Sequence, residues 1–177
     1  GLNLNDNSSG IYGGAIFSVN STIQLQNSVL SQNSTDFGGG TAYLKSSTLE
    51  IIDSNIEDSE SQQDGGALFI QNSELIVSNS SFESNYAHDG NGGAIYADSS
   101  NIVINNESLL SDNFSFTYGA GAYIKNSEID IENANFQYNS SYFGAAALYA
   151  DYSIINMRET EIWGNYSEYD GGGMFIT

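Results

Sequence analysis

Side chains suited to acid–base catalysis are scarce in this sequence. Among its 177 residues the basic groups are Lys45, Lys125, Arg158 and the single histidine His88, against 22 acidic residues. Elimination of an acidic sugar needs a basic group beside carboxylates or a metal, and hydrolysis needs two carboxylates on a shared face. One histidine, in a loop, cannot complete a nucleophile–base–acid arrangement. The sequence therefore predicts no catalytic residue and no enzyme.

Carboxylates beside glycine turns suggest the other kind of chemistry, metal binding. Asp36, Asp64, Asp89 and Asp170 lie near carbonyl-rich turns whose oxygens suit calcium. Their spacing matches neither a dedicated calcium loop nor a calcium-binding nonapeptide repeat. Cysteine is absent, so disulfides do not hold the fold together. We expect no metal site and no cofactor beyond weak calcium binding.

The overall charge limits the partners. A formal net charge of -19 repels phosphate backbones, and three basic residues release few counterions. No apolar stretch approaches the roughly 20 residues of a membrane-spanning helix. We expect no nucleic-acid partner and no membrane insertion within this segment.

A repeat of about 26 residues organises the whole chain. A motif of Gly-Gly-Ala, an apolar pair, Asn-Ser, Ile-x-Ile and Ser-x-Phe recurs and ends at an anchor residue. Such a period is typical of one structural unit stacked on its neighbours. The anchors are Asn7, Asn33, Ser59, Asn85, Asn113, Asn139 and Asn165.

Each repeat reads as three short strands, because apolar and polar residues alternate with period two in segments such as Thr48 to Ile52. The sequence predicts an all-β fold, a right-handed, single-stranded parallel β-helix of nearly seven coils. We expect residues 1–177 to form one solenoid, without capping coils and excerpted from a longer protein or fibre.

Five apolar columns are predicted to line the interior of the coils. Two come from the first strand, with pairs such as Leu68/Ile70, two from the second, with pairs such as Leu75/Val77, and one from the third. The third-strand column consists of Leu30, Ile56, Phe82, Leu110, Phe136 and Ile162.

An aromatic residue lies between the two inward positions of every first strand. Alternation places this row on the outside, where the rings would stack along the axis. The row either stabilises the sheet under the preceding loop or forms a strip for sugar binding or lateral packing. Its members are Phe17, Tyr43, Phe69, Tyr96, Tyr123, Tyr149 and Phe175.

The anchor asparagines are predicted to form a structural ladder whose amides bond the backbone of adjacent coils. The ladder residues are Asn7, Asn33, Asn85, Asn113, Asn139 and Asn165. Five of them, all except Asn85, also begin N-x-S/T sequences, but burial makes them poorer N-glycosylation sites than the three sequons at other corners. Those corner sequons begin at Asn20, Asn79 and Asn106.

Two short motifs resemble the polymorphic membrane protein repeat of right-handed β-helices. The first is seen in Gly13-Gly14-Ala15-Ile16 and Gly65-Gly66-Ala67-Leu68, and the second in Phe82-Glu83-Ser84-Asn85 and Phe136-Gln137-Tyr138-Asn139. The resemblance covers the full chain and implies secretion or surface display. Several coils carry Leu or Ile in place of the Phe of the second motif.

From these patterns we expect an extracellular or cell-surface glycoprotein module with a structural or adhesive role, such as a stalk, fibre or display rod. Glycans, other surface proteins or further copies in a fibre are its expected partners. A polysaccharide-binding or polysaccharide-cleaving β-helix protein is the alternative.

Overall fold

A computed structural model describes residues 1–177 and contains only strands, turns and loops. The chain winds as stacked coils of about 26 residues, and every strand pairs in parallel with the equivalent strand of the neighbouring coil. These strands form four parallel sheets, which we call A to D in the order in which each coil visits them. The predicted all-β solenoid is confirmed.

The sheets contain the following strands. Sheet A consists of Asn3–Asn5, Val29–Ser31, Asn55–Glu57, Ser81–Glu83, Ser108–Ser111, Ala134–Gln137 and Glu161–Trp163. Sheet B consists of Ser8–Ser9, Ser34–Thr35, Glu60–Ser61, Tyr86–Ala87, Phe114–Ser115, Ser140–Ser141 and Tyr166–Ser167. Sheet C consists of Ile16–Val19, Ala42–Lys45, Leu68–Gln71, Ile95–Asp98, Ala122–Lys125, Leu148–Asp151 and Met174–Ile176. Sheet D consists of Thr22–Gln26, Thr48–Ile52, Glu74–Ser78, Asn101–Asn105, Glu128–Glu132 and Ile154–Arg158.

The expectation of three strands per coil is wrong, because each coil has a fourth strand in sheet B. That strand is two residues long, as in Glu60–Ser61, and follows the anchor residue directly. Two residues are too few to display alternation, and most of these strands contain serine instead of β-branched residues.

The apolar core runs through the centre of the coils, as the column pattern predicts. Residues such as Leu75, Val77 and Leu110 are fully buried, and 27 buried residues form one continuous cluster. Partly buried members at the outer coils, among them Ile23 and Ile162, pack against that cluster. At about 1.5–3 kcal/mol for each large buried side chain, burial of this core is the main favourable contribution to folding.

Two further corners carry serine ladders that the sequence analysis did not identify. At the C–D corner the backbone N–H of Ser47 donates to Ser73 Oγ at 3.0 Å, and Ser73 donates in the same way to Ser100 at 3.1 Å. At the D–A corner Ser54 donates to Ser80 Oγ at 3.1 Å. These bonds satisfy buried N–H groups where the chain leaves the sheets.

Corner residues just before each ladder adopt left-handed backbone angles. Asn72 precedes Ser73 with φ 48°, and Asp112 precedes Asn113 with φ 56°. Asn and Asp tolerate this region better than most residues, and their polar side chains remain in solvent. At each ladder corner, a residue with left-handed backbone angles therefore faces solvent, and the next residue points inward and forms the ladder hydrogen bonds.

Candidate functional site

The basic residues lie apart from one another on the solenoid. Lys45 and Lys125 are the last residues of their strands in sheet C. They lie in one row along the axis, with Gln71 and Asp98 between them. Arg158 Nη2 pairs with Glu132 Oε2 at 2.9 Å on sheet D. No group of three or more His, Cys, Asp or Glu side chains is arranged to hold a metal ion.

His88 pairs with a carboxylate on the outside of sheet B. Its Nε2 lies 3.0 Å from Glu60 Oε2, and its ring lies 4.4 Å from that of Tyr86. Both partners are partly exposed, so the pair contributes little to stability.

The four loop carboxylates occupy different environments. Asp36, Asp89 and Asp170 are exposed. Asp64 is half-buried, and its Oδ1 accepts hydrogen bonds from the backbone N–H and the Nδ2 of Asn91, at 2.8 and 2.9 Å. Burial raises the pKa of Asp64 above its usual value, and the two hydrogen bonds oppose that shift.

The anchor asparagines form a hydrogen-bonded column at the A–B corner. Asn113 is fully buried, and its Nδ2 donates to Phe82 O at 3.0 Å and to Asn139 Oδ1 at 2.9 Å. Its Oδ1 accepts from the backbone N–H and the Nδ2 of Asn85, both at 3.0 Å. Asn33, Asn85 and Asn139 are equally buried, whereas Asn7 and Asn165 are partly exposed.

Ser59 interrupts this column, and a second substitution fills the space. Its Oγ lies 2.7 Å from Oγ1 of Thr41, and both residues are buried. The positions equivalent to Thr41 in the adjoining coils are Ala15 and Ala67. The smaller anchor side chain is therefore compensated by a larger neighbour.

The corner sequons contrast with the anchors, because Asn20, Asn79 and Asn106 are exposed. Asn79 Nδ2 donates to Asp53 Oδ1 at 2.7 Å, and Asn106 Nδ2 donates to Ser78 Oγ at 2.8 Å, both at the surface. Asn20 lies in an open groove of about 740 Å³ along the C–D corner, which is lined only by serine, asparagine, threonine and Glu74.

The aromatic row forms a continuous stack on the outer face of sheet C. Neighbouring ring centroids lie 4.6–5.4 Å apart, and the rings are 3–25° from parallel. The row consists of Phe17, Tyr43, Phe69, Tyr96, Tyr123, Tyr149 and Phe175.

Loop residues cover parts of this stack. Tyr12 lies 4.4 Å from Tyr43, whose exposure falls to 7%. Tyr118 lies 4.7 Å from Tyr149 in the same manner. Phe37, in the loop one coil after Tyr12, lies 6.0 Å from the Tyr12 ring and is 44% exposed. The repeat pattern indicates a loop over the row but not these rings, whose signal in the sequence is an aromatic residue directly before the glycine turn.

A cavity of about 490 Å³ opens between these loops and sheet C. Five aromatic rings line one part of it, and four polar side chains line the rest. The lining residues are Tyr12, Phe17, Phe37, Tyr43, Phe69, Lys45, Gln63, Asp64 and Gln71.

Burial of the stacked tyrosines makes the fold sensitive to alkali. Burial, followed by the nearby Asp151 charge, raises the pKa of Tyr123 from 10.0 to about 12. The unfolded chain therefore ionises first, and the free energy of unfolding should fall as pH rises from 10.0 to about 12.

We expect Tyr123→Phe to melt like the parent near neutral pH and to lose less stability in that alkaline range. Phenylalanine is native to this row at Phe69, so the stack tolerates the change. Tyr152→Phe is the control, because that ring is 78% exposed. Melting curves across the range test this, and equal alkaline loss in both variants would contradict it.

Comparison with protein-family models, characterised proteins and solved structures finds no match for this chain. No helix suited to crossing a bilayer occurs in the structure. The geometry defines the chain as a parallel β-solenoid with polar ladders at three corners and an aromatic stack on one face.

Proposed function

We propose that this chain is a structural or adhesive rod of an extracellular or cell-surface protein and performs no catalysis itself. The resemblance to the polymorphic membrane protein repeat supports that location. The observation that carries the proposal is the uniformity of the coils, whose core columns and ladders repeat from one coil to the next. At about 4.8 Å per coil the rod is roughly 30 Å long.

The distribution of charged groups supports a role without catalysis. Lys45 and Lys125 are separated by two intervening strands of sheet C, and Arg158 is paired with Glu132. Elimination from an acidic sugar depends on a basic side chain that acts together with other charged groups at one substrate atom, whereas the basic residues of this rod are spread over separate coils. The exposed acids instead favour solubility and oppose pairing of open strand edges.

Repetition also suits an adhesive role. Groups that recur at strand spacing contact an extended partner many times, and each added contact acts at high effective concentration. Such a surface binds firmly without one deep pocket.

We propose that any N-linked glycans on this rod are at Asn20, Asn79 and Asn106. Their side chains are exposed, whereas a sugar on Nδ2 of Asn33, Asn113 or Asn139 would remove ladder hydrogen bonds in a buried column.

Two measurements test the proposal. Incubation with neutral and acidic polysaccharides should release neither new reducing ends nor unsaturated products, and sustained release of either would overturn the non-catalytic role. Mass spectrometry of the protein from its native source should find hexose-bearing peptides at the corner asparagines and none at Asn113. Glycans on the folded protein at Asn113 would contradict the assignment of sites.

A further inference from the structure

The cavity beside Phe37 combines apolar rings with groups that hydrogen-bond hydroxyls. We propose that it is a binding site for a short stretch of a neutral saccharide. Within the proposed adhesive rod, this site would be where the rod contacts carbohydrate, and in that respect the inference rests on the proposed function.

Aromatic rings in the cavity provide apolar contact area at two levels. In the stack on sheet C, Phe17 is 58% exposed and Phe69 is partly exposed, and these two rings flank Tyr43, which is buried. Tyr12 and Phe37 stand above them in the loops, and their rings are tilted by 54° to each other. Sugar rings carry apolar C–H faces, and aromatic side chains bind such faces with little loss of conformational entropy.

Two amides lie in the lining and suit the hydroxyl rim of a sugar. The Gln71 Oε1 accepts a bond from the Tyr43 hydroxyl at 3.3 Å, which leaves its Nε2 available as a donor. Gln63 is exposed and supplies a second amide. A hydroxyl is both donor and acceptor, and an amide side chain matches both roles.

The lining carries one positive and one negative charge, and this balance favours a neutral ligand. Lys45 supplies the one positive charge of the lining and Asp64 the one carboxylate. Asn91 holds Asp64 Oδ1, whereas Asp64 Oδ2 has no hydrogen-bond partner within the chain. Asn91 thus holds the carboxylate in place and leaves Oδ2 open to a ligand hydroxyl. A hydrogen bond from that hydroxyl to the carboxylate would be charge-assisted, and therefore stronger than a bond between neutral groups.

The size of the cavity agrees with this class of ligand. At about 490 Å³ it falls within the range of small-molecule sites, roughly 300–1,000 Å³. It opens beside the outer face of sheet C, so a longer polymer could continue past it along the surface. The larger groove at the C–D corner offers no ring for a sugar face.

Calorimetry and NMR saturation transfer with neutral oligosaccharides test the site. The probes are β-1,4-linked glucose and mannose hexasaccharides, with an oligogalacturonate as the acidic comparison and tetramethylammonium chloride as a cationic one. We expect millimolar or tighter binding of at least one neutral probe and weaker binding of the acidic probe.

Matched phenylalanine variants locate the binding. Phe37→Ala should weaken binding about fivefold, since one aromatic contact contributes on the order of 1 kcal/mol. Phe116→Ala is the control, because Phe116 lies in the equivalent loop of a later coil with nearly the same exposure, 42% against 44%. Gln63→Ala should weaken binding without changing the melting temperature.

Several results would overturn the site. These are no binding of any neutral probe at millimolar concentration, equal weakening in Phe37→Ala and Phe116→Ala, or Phe37-dependent binding of tetramethylammonium in preference to the saccharides. If the probes are recovered uncleaved, the proposed non-catalytic role stands even when no binding is found. Shortened probes would overturn that role while leaving the site in place.

Discussion

Leu110→Lys should abolish cooperative folding of the coils around it, whereas Leu109→Lys should leave the protein as stable as the parent. The two leucines are neighbours in one strand of sheet A. Leu110 is fully buried in the column between Phe82 and Phe136, while Leu109 points outward between Ser81 and Asn135.

The expected difference follows from desolvation. Burying an ammonium group without a partner, and losing the packing of leucine, costs about 5 kcal/mol or more, which is comparable to the whole stability of many domains. At position 109 the same group stays in water, and Glu107 and Glu161 line the adjoining surface.

Thermal melting followed by circular dichroism measures the global effect. Hydrogen exchange with mass spectrometry shows its extent, and we expect loss of protection in the coils next to Leu110 before the distant ones, since repeats interact mainly with neighbours. Equal melting temperatures for the two variants would mean that the assignment of inward and outward faces is mistaken.

Asn113→Ala should be the second most damaging change, with a loss of several kcal/mol. Truncation removes the four hydrogen bonds of the side chain and leaves the backbone N–H of Asn85 without an acceptor in a region closed to solvent. Each buried group left unsatisfied costs about 1–3 kcal/mol. Chemical denaturation measures the loss as a change in midpoint.

A double-mutant cycle isolates the cause. Asn113→Ser alone should also destabilise, and adding Ala94→Thr should recover part of the loss, because that pair copies Thr41 and Ser59 at the equivalent positions. Ala94→Thr alone should be destabilising through overpacking against Asn113. Purely additive effects of the two changes would show that the Thr41–Ser59 compensation does not transfer between coils.

The coil and its core were predictable because burial leaves a periodic mark in the sequence. Alternation in segments such as Leu75 to Val77 and an anchor spacing of 26 residues, with one of 28, together indicate which side chains face inward. Parallel stacking then follows, since equivalent residues of successive coils must lie beside one another.

Contacts between side chains of different coils or loops were not predictable in the same way. The strands of sheet B are two residues long and give no alternation. Thr41 and Ser59 both depart from their columns, but they are 18 residues apart and nothing in the sequence pairs them. Phe37 and Gln63 lie in loops, where side-chain direction follows no period, so their meeting with Tyr43 required the structure.

The ladders also give the rod a direction. In both serine columns and in the asparagine column, the backbone N–H of each coil donates to the side chain of the next coil along the chain. At these three corners, each coil therefore presents donors on one side and acceptors on the other. If two such rods met head to tail, corner donors would face corner acceptors, whereas a head-to-head meeting would oppose like groups at all three ladders.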